Sequence, residues 1–213
     1  MDGHQEDIRL LDTSIVLVVV GSAVVLVDID QSGVPLVPDA LGYLLVAIGG
    51  ARLTQLDRTT HGLESRLARI GVSIAVIATL SGLVWLASSF GLRAPAEVAT
   101  GGSAWIDAGL GSATVVAAVL LFRELSRWFH TRDLEPPARR LWRAAHVVGW
   151  PWGVVAALHV LAVGARPGSH DLVTRQVDTP LAVPLALGMF ATLAYGAWAL
   201  LDARADLRRL TQA

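Results

Sequence analysis

The sequence contains no cysteine and no lysine, and it carries little charge of either sign. Without cysteine there is no disulfide, iron–sulfur cluster, thiolate zinc site, cysteine nucleophile or lipoprotein anchor. All 17 basic residues are arginine. A Walker-type phosphate loop, Schiff-base chemistry and retinal attachment each need an amine and are therefore excluded. GC-rich coding also produces an arginine-only basic set. Charged residues occupy 16% of 213 positions, against roughly 25% in a soluble domain. With 54% hydrophobic residues and a mean hydropathy of +0.55, the chain lacks the charge to clothe a water-facing surface of its size. An integral membrane protein is expected. The net charge of −1 argues against nucleic acid as a partner.

A membrane helix needs about 20 apolar residues to cross roughly 30 Å of hydrocarbon. Three runs free of Asp, Glu and Arg reach that length, at 70–92, 144–165 and 179–201. Three shorter ones lie at 13–27, 40–51 and 108–122, and these must take in a flanking acid, tilt little or sit where the bilayer is thin. The expected architecture is all-α. It is one membrane domain over 1–213 with six transmembrane helices, at about 10–29, 36–53, 70–91, 105–126, 142–165 and 179–202. The first dozen residues hold Asp2, Glu6, Asp7 and Asp12 against Arg9 alone. A signal peptide begins positively charged, so the first run is expected to stay as a span.

Arginine placement tests the count. Cytoplasmic loops near membrane ends are enriched in Lys and Arg. With six spans, 14 arginines fall on the side of the two termini and only Arg93, Arg166 and Arg175 on the other. Both termini are thus expected in the cytoplasm, with the chain in a prokaryotic cell membrane. The inner belt of Arg123, Arg127, Arg132, Arg139, Arg140 and Arg143 follows from the same rule. It is also suited to anionic lipid headgroups.

Trp105, Trp128 and Trp142 fall at expected helix ends, where an amphipathic ring suits the headgroup layer. Trp85, Trp150, Trp152 and Trp198 lie further in and are expected to pack between helices. Residues 56–69 could form a short interfacial helix, and Pro136-Pro137 should break the chain between spans four and five. Small residues recur at helical spacing: Gly149 with Gly153, Gly188 with Thr192 and Gly196, Ala78 with Gly82. Such positions let helix backbones approach closely, within one bundle or across a dimer face. Pro151 should kink the fifth helix.

The second span opens with Pro38-Asp39-Ala40-Leu41-Gly42-Tyr43. This element resembles the PDxxGY helix start of certain small, uncharacterised multi-span prokaryotic membrane proteins, over about 20 residues of the chain. The resemblance implies no activity. Physically it suggests a helix start, with Asp39 capping the free amides after Pro38.

Two constellations could carry chemistry. Asp28, Asp39 and Asp107 end the three short spans on the outer side. They are either interfacial caps and anchors or, if those spans adjoin, the lining of a wet vestibule for protons or cations. His146 and His159 share the fifth span and could ligate haem b. Their 13-residue separation leaves them about 140° apart around an ideal helix, however, and a neighbour-bonded polar role fits as well. Fragments at 126–133 and 166–171 resemble parts of membrane lipid-phosphate phosphatases, but order and spacing differ and that family's lysine is missing. No Gly-x-Ser-x-Gly nucleophile elbow, HExxH zinc motif or paired-acid alcohol-phosphotransferase motif is present.

The expected role is a non-enzymatic accessory or interaction component, with the bilayer and a membrane protein as partners and no catalytic residue, metal or cofactor. A small proton or cation transporter using the outer carboxylates is the first alternative, and a haem b electron carrier the second.

Overall fold

The structure is a computed structural model that describes residues 2–26, 36–58, 63–89, 102–165 and 182–212. Within them the chain is all-helical, with no strand. The helices are α1 (Asp2–Leu26), α2 (Leu36–Leu53), α3 (Leu63–Ser89), α4 (Gly102–His130), α5 (Glu135–Ala165) and α6 (Ala182–Gln212). A 3₁₀ turn at Thr54–Arg58 follows α2. Each helix packs on its neighbours in sequence, and α1 also meets α6, which closes the set into a ring.

Four helices are long and apolar enough to cross a membrane, over Glu6–Val25, Arg66–Ala87, Trp105–His130 and Glu135–Leu161. Their outward faces agree with that. On α3, Val72, Val76, Leu80 and Leu83 are exposed at helical spacing, and every other helix also exposes large apolar side chains. Stripes of this kind have no place in water but match lipid. The architecture fits a membrane protein.

The buried core gathers at one end. Ile8, Leu11, Leu53, Leu67, Leu125, Leu141 and Leu207 belong to one cluster. They come from the start of α1, α3 and α5 and from the end of α2, α4 and α6, so successive helices run in opposite directions. This is also the arginine-rich end.

Glycines set the approach of α1, α2 and α3. A Cβ on Gly21 would stand 2.6 Å from the Gly42 carbonyl oxygen. One on Gly50 would stand 2.7 Å from both the Ala75 nitrogen and the Gly71 oxygen. No side chain fits where backbones touch this closely, so α2 is locked on both flanks by absent side chains. The PDxxGY element takes part: Gly42 meets α1, and Tyr43 lies 3.2 Å from the Cβ position of Gly82 on α3.

Several local expectations change. Helix α2 begins at Leu36, so Asp39 belongs to its first turns instead of preceding it. Among the described residues of 56–69 there is no separate interfacial helix, because Leu63–Arg69 is the opening of α3. Pro136 and Pro137 open α5, where a missing N–H leaves no intrahelical bond unmade. Helix α5 also continues through Pro151. Trp128 is only 2% exposed and is no headgroup anchor; the Arg132 guanidinium lies 3.7 Å over its ring. Trp150 and Trp198 face outward instead of packing between helices. Trp150 lies on the side of α5 opposite Leu141 and Val148, which face the core.

Candidate functional site

The densest polar arrangement among the described residues is an ionic seam at the arginine-rich end, joining α1, α5 and α6. Asp12 immediately precedes the apolar run of α1, and its Oδ1 accepts a hydrogen bond from Arg204 Nε at 2.6 Å. Arg208 Nε, one turn further along α6, stands 3.5 Å from the same oxygen. Across the bundle Arg140 of α5 donates to Asp206 Oδ2 at 2.9 Å, and Arg209 donates to Oδ1 of that carboxylate at 3.0 Å. Arg140 Nη2 also lies 2.8 Å from Asp202 Oδ2, in an orientation that satisfies charge without a hydrogen bond. Asp202 and Asp206 lie one turn apart on α6, so both reach one guanidinium. Asp12, Arg140, Asp202, Arg204 and Asp206 are only partly exposed, and the pairs among them are less screened than surface ones; Arg208 and Arg209 are exposed.

A second polar group is buried in α4. Glu124 is 6% exposed. It pairs with Arg127 one turn later, while its Oε2 has no hydrogen-bond partner. Beside it Ser126 donates to the Ala138 carbonyl oxygen at 2.7 Å and ties α4 to α5.

The connection between these two helices is a Schellman turn. Leu134 N–H bonds Phe129 O, and Asp133 N–H bonds His130 O, both at 3.1 Å. Asp133 takes the left-handed position with φ of 58°, where glycine is usual. His130 Nδ1 reaches Glu135 Oε1 at 2.6 Å across the turn.

The residues singled out by sequence do not form one site. Asp28 lies outside the described residues, and so does the side chain of Asp39. Asp107 is half-buried near the start of α4. His146 is exposed, with Nδ1 2.9 Å from the Trp142 carbonyl oxygen and its ring against that of Trp142, 4.1 Å between centroids and tilted by 41°. His159 is half-buried further along α5. Of the four candidate packing glycines, two stand at close approaches. Gly149 faces Val119 of α4, and Gly196 faces Val148 of α5 and Phe122 of α4. Gly153 and Gly188 have no described atom within 4 Å of their Cβ positions. Thr192, in the same stripe as Gly188, accepts a hydrogen bond from Trp152 Nε1 at 3.1 Å.

Sequence reasoning missed the seam and the Gly21–Gly42 and Gly50–Gly71 contacts. The available signals were the adjacent glycines at 49 and 50 and Gly42 within the PDxxGY element. The pairing of Asp12 with Arg204 spans nearly the whole chain and has no local signature. No family model, curated protein or solved structure matches this chain.

Proposed function

We propose that the chain is a six-span bundle of a prokaryotic cytoplasmic membrane, with both termini in the cytoplasm, acting as a non-enzymatic accessory or interaction component. Two elements complete the six. Helix α2 has 18 residues, a rise of about 27 Å, and exposes Leu41, Leu44 and Ile48. Helix α6 exposes Leu187, Phe190, Trp198 and Leu201 ahead of its charged end. The 14-to-3 division of arginines supports the orientation.

The observation that carries the role is how the charge at the packed end is used. Asp12, Asp202 and Asp206 are engaged in holding α1 and α5 to α6. A catalytic group must be free to meet a substrate, whereas these groups meet one another. Outside the seam the bundle offers broad apolar faces suited to lipid or to another membrane helix.

Purification in mild detergent tests this. A membrane protein partner in fixed stoichiometry is expected, with no Soret band and no proton flux above protein-free liposomes. Tags at both termini are expected to be unreachable from outside intact cells. Flux abolished by Asp107→Asn would replace this reading with a cation pathway. A Soret band lost in His159→Ala would replace it with electron transfer.

A further inference from the structure

Arginines at the packed end divide into two sets. Of the six in the belt between α4 and α5, four are engaged within the protein. Arg127 pairs with Glu124, and Arg132 lies over Trp128. Arg139 Nε stands 3.5 Å from Glu135, and Arg140 belongs to the seam. Arg123 and Arg143 remain. Both are exposed, and neither has an ion pair or hydrogen bond to any described residue.

These two guanidiniums lie at one level. Ser126 bonds Ala138 and Val119 packs on Gly149. That antiparallel register sets Arg123 of α4 opposite Trp142 and Arg143 of α5. Trp142, Arg143 and His146 are all exposed on α5, and His146 stands at i+4 from Trp142 and i+3 from Arg143, so it adjoins both. Trp142 is 55% exposed, and its indole N–H has no partner among the described residues. Its ring lies against the tilted ring of His146, which is anchored in turn through Nδ1. Away from the arginine-rich end the same faces become apolar, with Leu120 on α4 and Val147 on α5 exposed.

We infer that this outer face of α4 and α5 binds an anionic phospholipid in the leaflet at the arginine-rich end, with Arg123 and Arg143 on the headgroup phosphate and Trp142 at the ester level. Charge complementarity selects the ligand. Two unpaired cations flank an aromatic ledge, and the apolar surface continuing from them suits acyl chains but not a soluble anion. An indole N–H at that depth donates to an ester carbonyl. The inference rests on the bilayer placement proposed above. Recovery of the protein without detergent would undo that placement, whereas equal response to all lipids in detergent would undo the site alone.

The test is thermal unfolding of the detergent-purified protein titrated with dioleoylphosphatidylglycerol, dioleoylphosphatidylcholine or inorganic phosphate. Saturable stabilisation by the glycerol lipid alone is expected. Arg123→Gln and Arg143→Gln should each raise its half-saturating concentration roughly fivefold. Arg143→Lys should keep part of the response, since charge remains without the planar fork. Arg52→Gln alters an exposed arginine elsewhere, on α2, and should change nothing. Equal stabilisation by the choline lipid, or wild-type titration by both Gln variants, would overturn the assignment. So would an equal loss in Arg52→Gln, which would mean diffuse charge, or an equal response to inorganic phosphate, which would mean a small-anion site.

Discussion

Asp12 near the start of α1 and Arg204 near the end of α6 meet at 2.6 Å, 192 positions apart in sequence. This contact helps to close the ring, because α1 and α6 are the packed pair of described helices that do not follow one another in sequence. Both side chains are about three-quarters buried or more. Removing either leaves the other in a partly desolvated place, a loss of about 1–3 kcal/mol.

Asp12→Asn and Arg204→Gln should therefore each lower the thermal midpoint of the purified protein, while the double variant loses less than the two together. Additive losses in that cycle would show that the contact contributes nothing of its own.

Gly50→Ala and Gly71→Ala should be severely destabilising. Their Cβ atoms would enter the partner backbone at 2.7 and 2.5 Å, and backbone cannot turn aside as a side-chain end can. Gly153→Ala and Gly188→Ala meet no described atom, so they should be neutral or add up to about 1 kcal/mol through helix propensity. Yields of folded protein and thermal midpoints for the four variants check this order.

Asp133→Gly should stabilise the connection between α4 and α5. The residue holds φ of 58°, a conformation that costs an L-residue about 1 kcal/mol and glycine far less. A rise in the unfolding midpoint, with helix content unchanged, is the expected result.

Glu124→Gln should leave stability unchanged or raise it. The substitution removes a charge from a site 6% exposed and replaces an oxygen that has no hydrogen-bond partner. Arg127→Gln should lower stability by about 1–3 kcal/mol, because it leaves the buried carboxylate without its counter-charge. Chemical unfolding of the two variants, compared side by side, separates these directions.

Much of the fold was legible along the chain because hydropathy and charge act locally. The run at 144–165 lies within α5, and the run at 70–92 lies within α3 as far as residue 89, where the described residues end. Gly149 and Gly196 stand where neighbouring helices approach closely. The faces of the tryptophans were harder to read. Trp128 and Trp142 both sit near helix ends, yet one is 2% exposed and the other 55%. A helix turns about 100° per residue, so distance from the helix end does not say which side a ring occupies.

Composition and order along the chain determined that the polypeptide is helical and apolar enough for a membrane. They also showed that its basic residues gather at alternate helix ends. Those properties depend on each segment's own exchange with solvent and need no knowledge of neighbours. Only the tertiary structure decided that Asp12 belongs to Arg204, that Gly50 belongs to Gly71, and which two of six belt arginines have no ion pair among the described residues. Each of those depends on how one helix is rotated against another, and that rotation follows from side chains meeting across the bundle.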